Sequence, residues 1–106
     1  MADTEITGII ARFTNALIMK GIKVEKIILY GSRSSGQIHN DSDIDVAVVS
    51  SDFGRDKYEE RKFLLQLAWK IDLRLEPVPI SAESFINDTW IPLIHEIRHK
   101  GVEISV

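Results

Sequence analysis

Gly31-Ser32-Arg33-Ser34-Ser35-Gly36, followed by Asp43-Ile44-Asp45-Val46-Ala47-Val48-Val49, is the part of the chain whose reading decides the fold, and ten residues separate Ser32 from Asp43. The second stretch is rich in β-branched residues and reads as a strand with two aspartates at its mouth. Residues two apart on a strand point to the same face, with α-carbons about 6.6–6.8 Å apart, so Asp43 and Asp45 can share metal ions. Hard carboxylate oxygens at that spacing suit Mg²⁺ or Mn²⁺. Gly31 lets the backbone turn tightly and approach a phosphate, while Ser32 and the first amides of a short polar turn or helix from Ser32 to about Ile38 offer hydrogen-bond donors. Phosphate and metal then meet in one place.

Working outward, Val24 to Tyr30 is apolar and ends at Gly31-Ser32, which reads as a buried strand. Before it, Ile6, Ile10, Phe13 and Leu17 recur at helical spacing across 3–20, with Gly21 as a stop. After the aspartates, Leu64, Ala68 and Ile71 mark a second amphipathic helix over 55–70. Ile71-Asp72-Leu73-Arg74-Leu75-Glu76 alternates apolar and charged residues strictly, the pattern of a strand with one face in a core. Ser81 can cap a further helix through 100, divided by Pro92 or carrying it in the first turn of a second part, and Val102 to Val106 reads as a short strand. The expected architecture is mixed α/β (α+β): strands 24–30, 43–49 and 71–76 in one mixed sheet, with the helices packed chiefly on one face. A crossover through 55–70 brings Asp72 back beside Asp43 and Asp45, and three carboxylates suffice for a two-metal phosphoryl-transfer centre. Glu76 shares a face with Asp72 in this reading and is the rival for the third position.

Composition excludes several other chemistries. A chain of 106 residues with 44% apolar residues is the size of one domain with one core. The absence of cysteine excludes disulfides, thiolate zinc sites, iron–sulfur clusters and cysteine nucleophiles. A net charge of −3 argues against an unaided grip on nucleic acid, which needs many phosphate-neutralising cations. No apolar run approaches a membrane span, and Met1-Ala2-Asp3-Thr4-Glu5 is acidic where a secretory signal is basic, which predicts a cytoplasmic protein.

Taken together, Gly31-Ser32, the ten-residue spacer, Asp43-Ile44-Asp45 and Ile71-Asp72-Leu73-Arg74-Leu75 resemble the nucleotidyltransferase superfamily that includes DNA polymerase beta. More closely, the chain is similar to the minimal (MNT-type) nucleotidyltransferase-domain proteins that are often partnered with helical HEPN proteins. The motifs cover roughly residues 24 to 80, and length and element order extend the likeness to the whole of 1–106 as a single domain. The resemblance implies a polymerase-beta-like fold in which Asp43 and Asp45 ligate both metals. It further implies that Asp72 ligates one metal and accepts the proton of the attacking hydroxyl, with Gly31, Ser32 and Arg33 contacting the triphosphate. Many minimal members carry a second arginine in the Gly-Ser motif that this chain lacks, since it reads Ser34-Ser35 after Arg33.

The implied activity is Mg²⁺-dependent (or Mn²⁺-dependent) transfer of a nucleoside monophosphate, most plausibly AMP from ATP, although another nucleoside triphosphate can serve. The acceptor is a hydroxyl, which a HEPN-type partner can supply. The rival function is an antitoxin-like subunit, weakly catalytic or non-catalytic, that masks a HEPN ribonuclease by contact; homo-oligomer formation is compatible with either.

Two motif matches are decoys. Asp41-x-Asp43-x-Asp45 imitates the start of an EF-hand loop, but Val46 stands where that loop needs glycine and Asp52 where it needs glutamate. His95-Glu96-Ile97-Arg98-His99 matches the zinc-protease signature, yet Glu103 is the sole third ligand that follows, and Arg98 and Lys100 repel a dication. A solvated helix face with cations near its C-terminus is the better reading. Trp69, Phe85 and Trp90 are expected in the core.

Overall fold

A computed structural model of the chain describes residues 4–31 and 43–105. Their elements run α1 (Thr4–Met19), β1 (Lys26–Tyr30), β2 (Ile44–Ser50), α2 (Lys57–Trp69), β3 (Leu75–Ser81), α3 (Ala82–Asn87), α4 (Pro92–Lys100) and β4 (Val102–Ile104). The strands form a four-stranded sheet in the order β3-β2-β1-β4. β1 is antiparallel to both β2 and β4, whereas β2 and β3 are parallel and joined through α2. This is the expected mixed sheet. The short polar turn or helix expected from Ser32 lies outside the described residues.

Local chemistry explains the boundaries. The helix α2 starts where the Asp56 carboxylate accepts the Glu59 amide at 3.1 Å, and Glu60 reaches back to the amides of Gly54, Arg55 and Asp56. Proline opens α4 at Pro92, where a missing N–H costs nothing, and splits the 81–100 segment as expected. The third strand needs correction, because it runs over 75–81 and not 71–76. Residues 71–74 form a turn instead: the amides of Ile71 and Asp72 donate to Ala68 O, and that of Leu75 to Asp72 O. The Asp72 carboxylate accepts the Arg74 amide at 2.8 Å, a local bond that competes with strand pairing. Pro77 and Pro79 are tolerated because β3 is an edge strand.

Both faces of the sheet are apolar, which decides where the helices go. Ile27, Leu29, Ile44, Val46, Val48 and Leu75 face α1 and α2, whose Ile10, Phe13, Leu17, Leu64 and Ala68 complete the larger core. Ile28, Ala47, Val49 and Ile80 face the other way and are covered by Phe85, Ile94 and Ile97. The two long helices therefore share one face as expected, but α3 and α4 lie on the opposite one. A strand such as Ile27-Ile28-Leu29, buried on all three positions, cannot leave either face to water. Phe85 is buried as expected, whereas Trp69 is 48% and Trp90 77% exposed, so neither belongs to the core.

Where α4 turns into β4, Gly101 lies against β1. A Cβ there would collide with the Ile28 side chain and come within 2.5 Å of Ile97 O. Gly101→Ala is therefore expected to cost about 2–3 kcal/mol by overpacking, read as a lowered midpoint in urea unfolding with an unchanged slope.

Candidate active site

At one end of the sheet, three adjacent strands place polar side chains in a single row. Tyr30 is the Cα partner of Asp45, and Asp45 is the Cα partner of Glu76. Neighbouring strands stand about 4.8 Å apart, and alternation puts these three side chains on the face of Ile28, Ala47 and Val78, the one that α3 and α4 partly cover. Asp43 immediately precedes β2 and is exposed. Beyond Tyr30 the chain turns at Gly31, whose φ is +77°. A Cβ at Gly31 would stand 2.6 Å from Asp45 Oδ2, so the position requires glycine both for its left-handed backbone and because the carboxylate lies against its Cα.

The electrostatics of the row are those of crowded anions. Burial pushes the Asp45 carboxyl above its ordinary range, and the charges of Asp43 and Glu96 push it further. The Tyr30 phenol is pushed up to about 12, first by burial and then by Asp45 and Glu96. Glu96 reaches this neighbourhood from α4, although the sequence drew attention to it only as part of the zinc-protease decoy. His95 and His99 of the same match are exposed. Their rings stack with centroids 4.1 Å apart, and His99 Nδ1 donates to His95 O. Arg98 is held at Phe85 O at 2.9 Å and lies 5.0 Å above the Phe85 ring. That face of α4 is occupied by its own contacts.

Asp72 is placed differently. Its Oδ1 and Oδ2 accept the Arg74 guanidinium at 3.0 and 2.9 Å. Arg74 also donates to Glu5 of α1 at 3.0 Å. Hydrogen bonding to Arg74 holds the Asp72 carboxyl below its ordinary range, helped by the charge of Arg12, another α1 residue. The structure sets Gly31 against the Asp45 carboxylate, Glu76 in register beside Asp45 and Asp43 near enough for its charge to act on Asp45, whereas Asp72 is tied through Arg74 to α1, on the opposite face. Ser32 and Arg33 lie outside the described residues. Tyr30 was not singled out from sequence; its signal was its place as the last strand residue before Gly31.

Among the described residues no three acidic or imidazole side chains converge on one point. What the strands hold is the row of backbone positions, from which aspartate and glutamate reach over a few rotatable bonds. The donor set is all hard oxygen, which fits Mg²⁺ or Mn²⁺ and not zinc.

Comparison with known proteins places this geometry. A family model described as polymerase beta, nucleotidyltransferase, matches residues 14–105. No curated protein matches the chain. Among solved structures, a toxin–antitoxin with AMP-PNP superposes with a TM-score of 0.65 at 26% identity, covering 90% of this chain and 71% of that one. The toxin–antitoxin MntA–HpeT, in a mutant with two aspartates two positions apart changed to glutamate, gives a TM-score of 0.63 at 25% identity over the same shares of the two chains, 90% and 71%. With that model matching residues 14–105 and the expected mixed sheet in place, the chain belongs to the polymerase beta nucleotidyltransferase family.

Proposed function

We propose that this chain is a single cytoplasmic nucleotidyltransferase domain that transfers AMP from ATP to a hydroxyl on a helical HEPN-type partner protein. The observation that carries the reading is the seating of the Asp45 carboxylate against Gly31 with Glu76 in register beside it, since this sets carboxylates beside the turn to which the family resemblance gives the triphosphate contact. The AMP-PNP bound with a structural neighbour supports an adenine nucleotide as substrate. The replaced aspartate pair in the other neighbour has the spacing of Asp43 and Asp45, and supports giving those two residues the central role. Among the described residues no helix is long and apolar enough to cross a membrane.

In this reading Asp43, Asp45 and Glu76 would hold Mg²⁺. The ion, when bound, offsets charge on the phosphates and on the attacking and leaving oxygens of an in-line displacement. Glu76 takes the third position ahead of Asp72, because its side chain shares a face with Asp45 whereas that of Asp72 is engaged by Arg74. Glu76 then accepts the proton of the acceptor hydroxyl, and pyrophosphate leaves. Gly31, Ser32 and Arg33 keep the triphosphate-contact role that the family resemblance gives them.

The test is incubation of the purified protein with α-labelled ATP, Mg²⁺ and a lysate of its source cells. A labelled helical partner with the mass gain of AMP, absent when EDTA is added, is the expected result. Label on a small molecule alone would replace the protein acceptor with a free substrate. Partner capture without label would favour the masking subunit instead.

A further inference from the structure

The row Glu76–Asp45–Tyr30 contains one group the proposed reaction leaves unused, the Tyr30 hydroxyl. It extends from the last residue of β1 on the face of the two carboxylates. Its ring is half-buried against the core formed by Ile28, Val49 and Ile97, so the direction of the side chain is set by packing. Its hydroxyl makes no hydrogen bond to another described residue, although Asp45 is the neighbour across the strand pair. A phenol is neutral over the working pH range and donates one hydrogen bond. Beside carboxylates that crowd negative charge, a neutral donor can face an incoming anion without trapping it as an ion pair would.

From this placement we infer that the Tyr30 hydroxyl is a substrate-contacting residue that donates a hydrogen bond to a phosphate oxygen of the bound nucleotide. The inference rests on the nucleotidyltransferase reading above and adds a contact to it. Phosphate is favoured over ribose because Tyr30 directly precedes Gly31, the positive-φ turn to which the nucleotidyltransferase reading gives the triphosphate contact. The ring and the hydroxyl then have separable duties: the ring packs, and the hydroxyl binds.

Calorimetric titration of the full chain with AMP-PNP and Mg²⁺ tests this, using wild type, Tyr30→Phe and Asp45→Asn. Tyr30→Phe keeps the ring and is expected to melt like wild type while binding AMP-PNP about tenfold more weakly, the size of a lost hydrogen bond to a charged group. The same loss is expected with 2′-deoxy- and 3′-deoxy-ATP. Equal AMP-PNP affinity for Tyr30→Phe and wild type would overturn the inference, and a loss that vanishes with either deoxynucleotide would overturn the phosphate assignment. Mn²⁺ titrated alone should bind both proteins equally; a weaker Mn²⁺ affinity in Tyr30→Phe would reduce Tyr30 to a residue that props Asp45. If wild type and Asp45→Asn bind AMP-PNP with Mg²⁺ equally, the nucleotidyltransferase reading itself fails, and the Tyr30 inference with it.

Discussion

Asp45→Asn is expected to lower transfer by at least about 10³-fold, about 4 kcal/mol of transition-state stabilisation, while leaving the fold at least as stable as wild type. The two effects have one cause. In the folded protein the Asp45 carboxyl is raised by burial and by the charges of Asp43 and Glu96. A carboxyl raised on folding binds its proton more tightly in the native state, so stability falls as pH rises from the unfolded pKa through the folded one. At neutral pH the ionised Asp45 therefore destabilises the fold, and the neutral amide of asparagine removes that burden. Thermal melts at pH 7 beside single-turnover transfer assays check both halves. An asparagine variant that melted lower than wild type and still transferred label would show that Asp45 is a structural anion. Gly31→Ala should resemble it in activity but not in stability. Its methyl group would meet the Asp45 carboxylate and the residue would be held at a positive φ, which together cost about 2 kcal/mol or more.

The second large effect separates Glu76 from Asp72. Glu76→Gln is expected to reduce transfer about 10²–10³-fold with little change in melting temperature, as for a group acting on a proton or metal in the transition state. Asp72→Asn is expected to leave transfer within a few-fold and to lower stability by about 1–2 kcal/mol, because the Arg74 fork loses its charge-assisted partner. The side chains of Asp72 and Arg74 are 19% and 26% exposed, so solvent only partly screens the pair. Asp72 is lowered on folding, so its stabilisation is present above the ordinary carboxylate pKa near 4 and is lost as pH falls through the folded value. Urea midpoints measured down the acid limb should accordingly fall less steeply in Asp72→Asn than in wild type. The reverse order of damage in the transfer assay would return the third carboxylate to Asp72.

Much of this molecule is written in short-range pattern. The helical spacing of Ile6, Ile10, Phe13 and Leu17 and the apolar runs of β1 and β2 announce their elements, because burial of one stripe or of both strand faces leaves a period that any reading detects. The turn at Gly31 and its place beside Asp45 were legible for a related reason. A backbone turn is a property of residues close in sequence, and the register that brings Asp45 to it, Tyr30 to Asp45, belongs to adjacent antiparallel strands.

The carboxylate that stands beside Asp45 on β3 could not be read this way. Alternation in Ile71 to Glu76 is shared by a strand and by a turn followed by a strand, and residues four apart keep the same face only if all of them are extended. Arg74 folds back on Asp72 and reaches Glu5, 69 positions away. The local bonds of the turn occupy 71–74, and the strand starts only at Leu75. Which helix covers which face was hidden for the same reason, since strands buried on both sides do not say which partner comes from where. The sequence by itself therefore determined the family's pattern, the order of the main elements and the turn at Gly31. Only the tertiary structure decided that Glu76 stands beside Asp45, because the parallel register of β2 and β3 joins strands separated by α2 and is a matter of packing, not of any residue's own preference.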